Sequence, residues 1–216
     1  MMKLPETIQT PVGPSVVGAS AHLLAELLIA FEESLREQGL PVDDYLRPGA
    51  SPDDVRAIFD RFNLVAPDEV VTWFGWHDGR RPIRESYLTL PMFQAWSLED
   101  VDLNRRARAR VQPFGLTKED WDPSWVQIMG DHNGLAVRCS GGPPDVPLVR
   151  ALEKASPNTL ADYTATQVVS LCAPVTWWIE GLRSGRYVWH PDANAWDAPT
   201  REFVKPEDRG PRLYFI

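Results

Sequence analysis

Apolar positions keep no period through residues 1–19, where Pro5, Pro11, Gly13 and Pro14 interrupt the chain. This stretch is expected to be a loose, flexible arm. The first regular pattern follows Ser20. Leu23, Leu27, Phe31 and Leu35 recur at helical spacing, with Leu24 and Leu28 beside them, and predict an amphipathic helix over 21–38. Ser20 suits its N-cap, and Gly39 and Pro41 end it.

Ser51-Pro52-Asp53-Asp54 is a second helix start, with a capping hydroxyl, proline in the first turn and acids at the positive end of the dipole. Val55, Ile58, Phe59 and Phe62 supply its buried stripe. Pro67-Asp68-Glu69 repeats that logic for a short helix that buries Val70 and Phe74, with His77 as a further candidate, and stops at Gly79. Through Asn63–Ala66 the two should form an antiparallel or angled pair. Residues 80–97 read as irregular, with strand character at Ser86–Leu90, and Ser97-Leu98-Glu99-Asp100 reads as another helix start.

The period then changes. Trp125–Met129 and Leu135–Cys139 read as two strands joined through Gly130-Asp131-His132-Asn133-Gly134, where Asn-Gly favours a hairpin turn. Val146–Leu152 is a candidate third strand. Helical spacing returns over 166–183 in Val168, Leu171, Cys172, Val175, Ile179 and Leu182, with Pro174 either kinking the helix or starting a second segment. Trp177 and Trp178 flank the main apolar line, so one of them should be part-exposed. Tyr187-Val188-Trp189, a turn at Pro191–Asn194 and Trp196 suggest a terminal two-stranded flap. Helices first, then strands, then a helix describe an α+β fold, with residues 20–216 as one domain.

Composition narrows the class. The 216 residues suffice for one sizeable domain, and 44% hydrophobic content is that of a globular chain. The net charge of −8 is unevenly spread. Residues 1–103 hold eight basic and seventeen acidic side chains, a net of −9, and residues 104–216 hold fourteen and thirteen, a net of +1. Acidity repels phosphate backbones and argues against nucleic acid as a partner. It suits a basic protein, or serves solubility alone. Cys139 and Cys172 form no CxxC pair and read as small buried thiols of a reduced compartment. The N-terminus lacks the pattern of a signal peptide and no apolar run is long enough to span a membrane, so a cytoplasmic protein is expected.

Candidate chemistry is sparse. His77-Asp78 and Asp131-His132 are the residue types of a metal or acid/base site, yet both fall where turns are expected and where Asp and His suit turn backbone. Asp53/Asp54, Asp68/Glu69 and Glu99/Asp100 are paired carboxylates, each at a helix start where the dipole accounts for them. Cys139-Ser140-Gly141-Gly142 is no nucleophile elbow, and no phosphate loop or metal-ligand spacing occurs. Arg105, Arg106, Arg108 and Arg110 form either an anion patch or a solvated helix face. No catalytic residue, cofactor or metal ligand is assigned. The nine tryptophans are mostly core, and an exposed aromatic platform for carbohydrate, or an enzyme built on a Trp-lined surface, is the alternative reading.

Two Trp-rich phrases carry a family resemblance: Pro67-Asp68-Glu69-Val70-Val71-Thr72-Trp73-Phe74-Gly75-Trp76-His77-Asp78-Gly79, and Trp121 through Leu135. With Trp177-Trp178-Ile179-Glu180-Gly181-Leu182-Arg183-Ser184-Gly185-Arg186-Tyr187 near the C-terminus, their order over residues 51–197 resembles the SMI1/KNR4 (SUKH) family. The matching segments are Ser51–Phe62, Pro67–Gly79, Trp121–Met129, Gly130–Gly134 and Val168–Leu182. The resemblance implies an α+β fold with a mostly antiparallel sheet flanked by helices, and no general catalytic site. It also implies a binding role, in bacterial members often immunity against a cognate nuclease toxin. On that reading the partner is a basic toxin domain. Glu99, Asp100 and Asp102, near a helix start and opposite no obvious internal base, are the expected partner-binding rim.

Overall fold

A computed structural model describes residues 2–81, 94–110, 123–130, 134–139, 146–152, 167–193 and 195–197. Helix α1 runs Ala21–Glu37. The Ser20 hydroxyl accepts the Leu23 amide at 3.2 Å and caps it. Gly39, at φ +88°, turns the chain out of the helix in the left-handed region open to glycine. Short α2 (Val42–Tyr45) precedes α3 (Pro52–Asp60), which Ser51 caps through the Asp54 amide. Helix α4 spans Asp68–Trp76 and α5 spans Leu98–Arg110. In α3 the fully buried residues are Val55 and Phe59, while Ile58 is half-buried.

Five antiparallel strands form one sheet in chain order: β3 (Gln94–Ala95), β4 (Trp125–Gly130), β5 (Gly134–Arg138), β6 (Leu148–Leu152) and β7 (Gln167–Val169). Val126, Val137, Val149 and Val168 sit on one face and join the helices in one buried cluster. A register shift between Gln127 and Met129 makes a bulge that lets both Ile128 and Met129 enter that cluster. The other face carries Trp125, Gln127, Arg138, Arg150 and Gln167. There the Arg150 guanidinium lies 4.4 Å over the Trp125 ring. The architecture is α+β, as the order of sequence patterns predicts. The turn residues 131–133 and the segment Ser86–Leu90 lie outside the described residues.

Three expectations are corrected. Residues 1–19 are not a periodless arm. Strands β1 (Thr7–Thr10) and β2 (Gly13–Val16) pair antiparallel, and Pro14, Ser15 and Val16 are buried. Pro11 and Val12 form the turn there, and Gly13 opens β2 opposite Thr10. The hairpin docks beside β7, where the Gln167 side chain donates to the Val12 carbonyl at 3.0 Å.

The long helix expected over 166–183 is a strand followed by a shorter helix, α6 (Cys172–Arg183). Val168 belongs to β7, and Pro174 is the third residue of α6, where its missing N–H breaks no helical bond.

Trp177 and Trp178 are both buried, at 1% exposure each. Trp178 packs on Phe31 and Trp73, with ring centroids 5.7 and 6.3 Å away. Trp177 donates its indole N–H to the Thr7 hydroxyl at 3.2 Å. The hairpin thus reaches the side of α6 that a one-sided amphipathic reading leaves wet. The terminal flap is present as β8 (Val188–His190) and β9 (Ala195–Asp197), with Trp189 and Trp196 cross-strand partners.

Candidate functional site

The residues expected as a partner-binding rim do three different jobs. Asp100 closes a reciprocal cap at the start of α5. Its carboxylate accepts the Ser97 amide at 2.9 Å and the Ser97 hydroxyl at 2.8 Å, while the Ser97 hydroxyl accepts the Asp100 amide at 3.2 Å. Asp102 is opposed by bases, contrary to expectation. Arg106 lies 2.7 Å and Arg61 3.9 Å from its carboxylate, whose side chain is 13% exposed. Glu99 is exposed and enters no ion pair among the described residues. A helix-start carboxylate and an i, i+4 arginine were both legible as local patterns. The Arg61 contact depends on how α3 crosses α5.

Acidic residues line one exposed face of α1. Glu26, Ile29, Glu33 and Glu37 follow one another along its exposed side, and Ile29 is 60% exposed. Glu33 and Glu37 enter no ion pair among the described residues. On α5, Leu103 is 58% exposed one turn beyond Glu99.

Between these helices lies His77-Asp78-Gly79, the stop of α4. It ties elements together as well as turning the chain. The His77 Nε2 is 3.2 Å from the Glu32 carboxylate of α1, and Nδ1 is 2.6 Å from the Arg47 carbonyl. Asp78 accepts the Leu98 amide at 2.7 Å and so adds a second cap to α5. Gly79, at φ +71°, passes so close to α5 that a Cβ there would meet the Ser97 nitrogen at 2.3 Å. Asp131 and His132 lie outside the described residues.

Glu32 is a hub that periodicity did not single out. Besides His77, it accepts the Trp76 indole N–H at 2.8 Å and Arg36 at 2.8 Å. Burial pushes its carboxyl up, but the bonds from Arg36 and Trp76 and the His77 beside it outweigh this and hold it below the usual range. Arg36 also makes a two-point contact with Asp43, at 3.0 Å for each bond, which pulls the Asp43 carboxyl down.

Glu69, read from sequence as a dipole-favouring acid, is fully buried. It accepts the Ser170 hydroxyl and the Leu171 amide, both at 2.6 Å, at the N-terminus of α6. Ser170 has φ +77°, a left-handed conformation that strains a serine, and its hydroxyl also accepts the Cys172 amide at 2.9 Å. Both cysteines are free and buried, as expected. Burial pushes each thiol up to about 12, with the Glu69 charge adding to the effect at Cys172 and Arg105 opposing it at Cys139.

Arg105 is not part of an open anion patch. It donates to the Trp125 and Pro123 carbonyls at 3.2 and 2.6 Å and stacks over Phe62 at 4.9 Å. Trp73, Trp125, Trp177, Trp178 and Trp189 are buried, and Trp76, Trp96 and Trp196 pack partly buried against the core. No helix among the described residues is long and apolar enough to cross a membrane. No protein-family model matches the chain, and a comparison with curated proteins finds no match.

Proposed function

We propose that this chain is a non-enzymatic protein-binding module, of the immunity type that neutralises a cognate toxin by direct contact. The SMI1/KNR4 resemblance suggests the role, and the α+β fold with an antiparallel sheet beside helices is compatible with it. One observation carries the reading: the outer face of α1, where Ile29 is exposed beside Glu33 and Glu37, carboxylates in no ion pair among the described residues. Complexes gain affinity from a few desolvated anchors and gain speed and selectivity from a charged rim. An exposed isoleucine ringed by acids offers both to a basic partner. Glu99 and Leu103 on α5 add a second pair of the same kind.

The test begins with the protein encoded beside this chain. Co-expressed, the two should copurify as a complex. Association at low salt should slow by about tenfold or more when Glu26, Glu33 and Glu99 are all changed to lysine, and the effect should fade as salt screens the charges. Absence of a complex defeats the immunity reading. A complex whose association rate ignores these changes defeats the acidic surface.

A further inference from the structure

Both ring nitrogens of His77 face atoms that only accept hydrogen bonds. The Arg47 carbonyl is 2.6 Å from Nδ1 and the Glu32 carboxylate 3.2 Å from Nε2. A neutral imidazole owns one N–H and serves one of these; the imidazolium serves both. The alternative, a proton on Glu32, conflicts with the other groups around that carboxylate. Trp76 Nε1 and Arg36 already donate to it, and a carboxylate with three donors is best satisfied ionised.

The ring's wider surroundings agree. Helix α1 supplies Glu32 and Arg36, and α2 supplies Asp43. Two carboxylates thus face one guanidinium, and Arg36 is already engaged by both of them. Asp78 points away to cap α5, and the Arg81 Nε donates to the Asp43 and Leu46 carbonyls. Trp76 covers the ring edge-on, with centroids 4.5 Å apart, and the His77 side chain is 13% exposed.

The position of this ring gives its proton a long reach. The chain on either side is zipped to the 46–50 segment, through Ala50 N–H to the Phe74 carbonyl at 2.9 Å before it, and through Asp78 N–H to the Pro48 carbonyl at 3.2 Å and Arg47 N–H to the Gly79 carbonyl at 3.0 Å after it. The next residue caps α5, and the one after packs on Ser97. We propose that His77 is held doubly protonated in the folded chain and acts as a proton-dependent joint between α1 and the start of α5. With the proton, the ring bridges Glu32 and Arg47. Without it, one of those contacts becomes acceptor against acceptor and opens, and Asp78 shifts with it. The joint stands on this geometry and holds whether or not the chain binds a toxin.

The experiment uses the full chain labelled with ¹⁵N, and reads the histidine ring nitrogens and the backbone amides from about pH 5 to about pH 9, across the range where histidine charge changes. His77→Gln assigns the ring signals among the four histidines. At neutral pH both His77 nitrogens should carry protons. On raising the pH, the amides of Leu98 and Val101 should move with the same midpoint as the ring. In Glu32→Gln the Nε2 contact loses its carboxylate partner, and the movement of the Leu98 and Val101 amides with pH should shrink. A ring protonated only at Nδ1 at neutral pH overturns the proposal. So do Leu98 and Val101 amides that ignore the ring's titration. The wild-type spectra decide both points even if the variant folds poorly.

Discussion

Glu69 and Ser170 stand 101 residues apart in the chain and share a 2.6 Å hydrogen bond in the core. The bond joins the first turn of α4 to the start of α6. It also sits on a serine held at φ +77°, a conformation that persists only where surrounding contacts impose it.

Glu69→Ala should destabilise the fold by about 2–5 kcal/mol, because it strands the Ser170 hydroxyl and the Leu171 amide without acceptors. Ser170→Ala should cost more than Ser170→Gly. Both lose the hydroxyl, but glycine relieves the left-handed strain, worth about 1 kcal/mol. Urea midpoints measure all three. Equal losses for the two Ser170 variants would show that the strain is not significant.

Trp178→Ala should cost about 3–5 kcal/mol, the usual range for removing a large core aromatic. Trp177→Phe keeps most of the packing and loses the bond to Thr7, worth about 1 kcal/mol. Its signature is local: amide exchange should speed up in the β1–β2 hairpin and not in the five-stranded sheet. Unchanged exchange there would mean that the hairpin is held by other contacts, such as Gln167 to Val12.

Acid should loosen the α1–α4 seam. The Glu32 carboxyl lies below its ordinary value of 4.5 in the folded chain, so the unfolded chain binds its proton first as pH falls. Its stabilising contribution is complete above about 4.5 and is lost as pH drops through the lower folded value. Glu32→Gln should therefore flatten the acid limb of stability against pH while lowering stability at neutral pH. Parallel acid limbs for variant and wild type, measured by urea unfolding, would refute this.

The thiols offer a simple check. Both are buried and pushed up to about 12, so neither should react with a disulfide reagent at pH 8 while the chain is folded. Two thiols should react promptly in denaturant. A fast reaction of one native thiol would place that cysteine in a locally open region.

The three expected rim acids should separate on mutation. Glu99→Lys should change stability by no more than about 0.5 kcal/mol, as for other free surface sites. Asp100→Ala should cost about 1 kcal/mol through loss of the cap on α5. Asp102→Asn weakens the contacts to Arg61 and Arg106 and should fall between them. Thermal unfolding ranks them, and an equal effect of all three would return them to one common role.

Much of this protein is local and therefore readable in its sequence. Ser20 and Ser51 cap the helices they precede, Leu24, Leu27, Leu28, Phe31 and Leu35 bury along one side of α1, and β4 and β5 pair antiparallel as the two apolar runs flanking Asn133-Gly134 predict. These features depend on neighbours within a turn or a strand pair, and the spacing of residue types records such neighbours directly. What a carboxylate does with its charge is not local. Glu69 and Asp68 are adjacent acids at one helix start, yet Glu69 caps a distant helix in the core and Asp68 is exposed. Asp102 and Glu99 differ as sharply, since only the crossing of α3 brings Arg61 to one of them. The same holds for Trp177, whose burial waits on a hairpin from the other end of the chain. Spacing decides which residues share a face. Which faces stay open, and which charges stay free, was decided when the helices and the hairpin packed together.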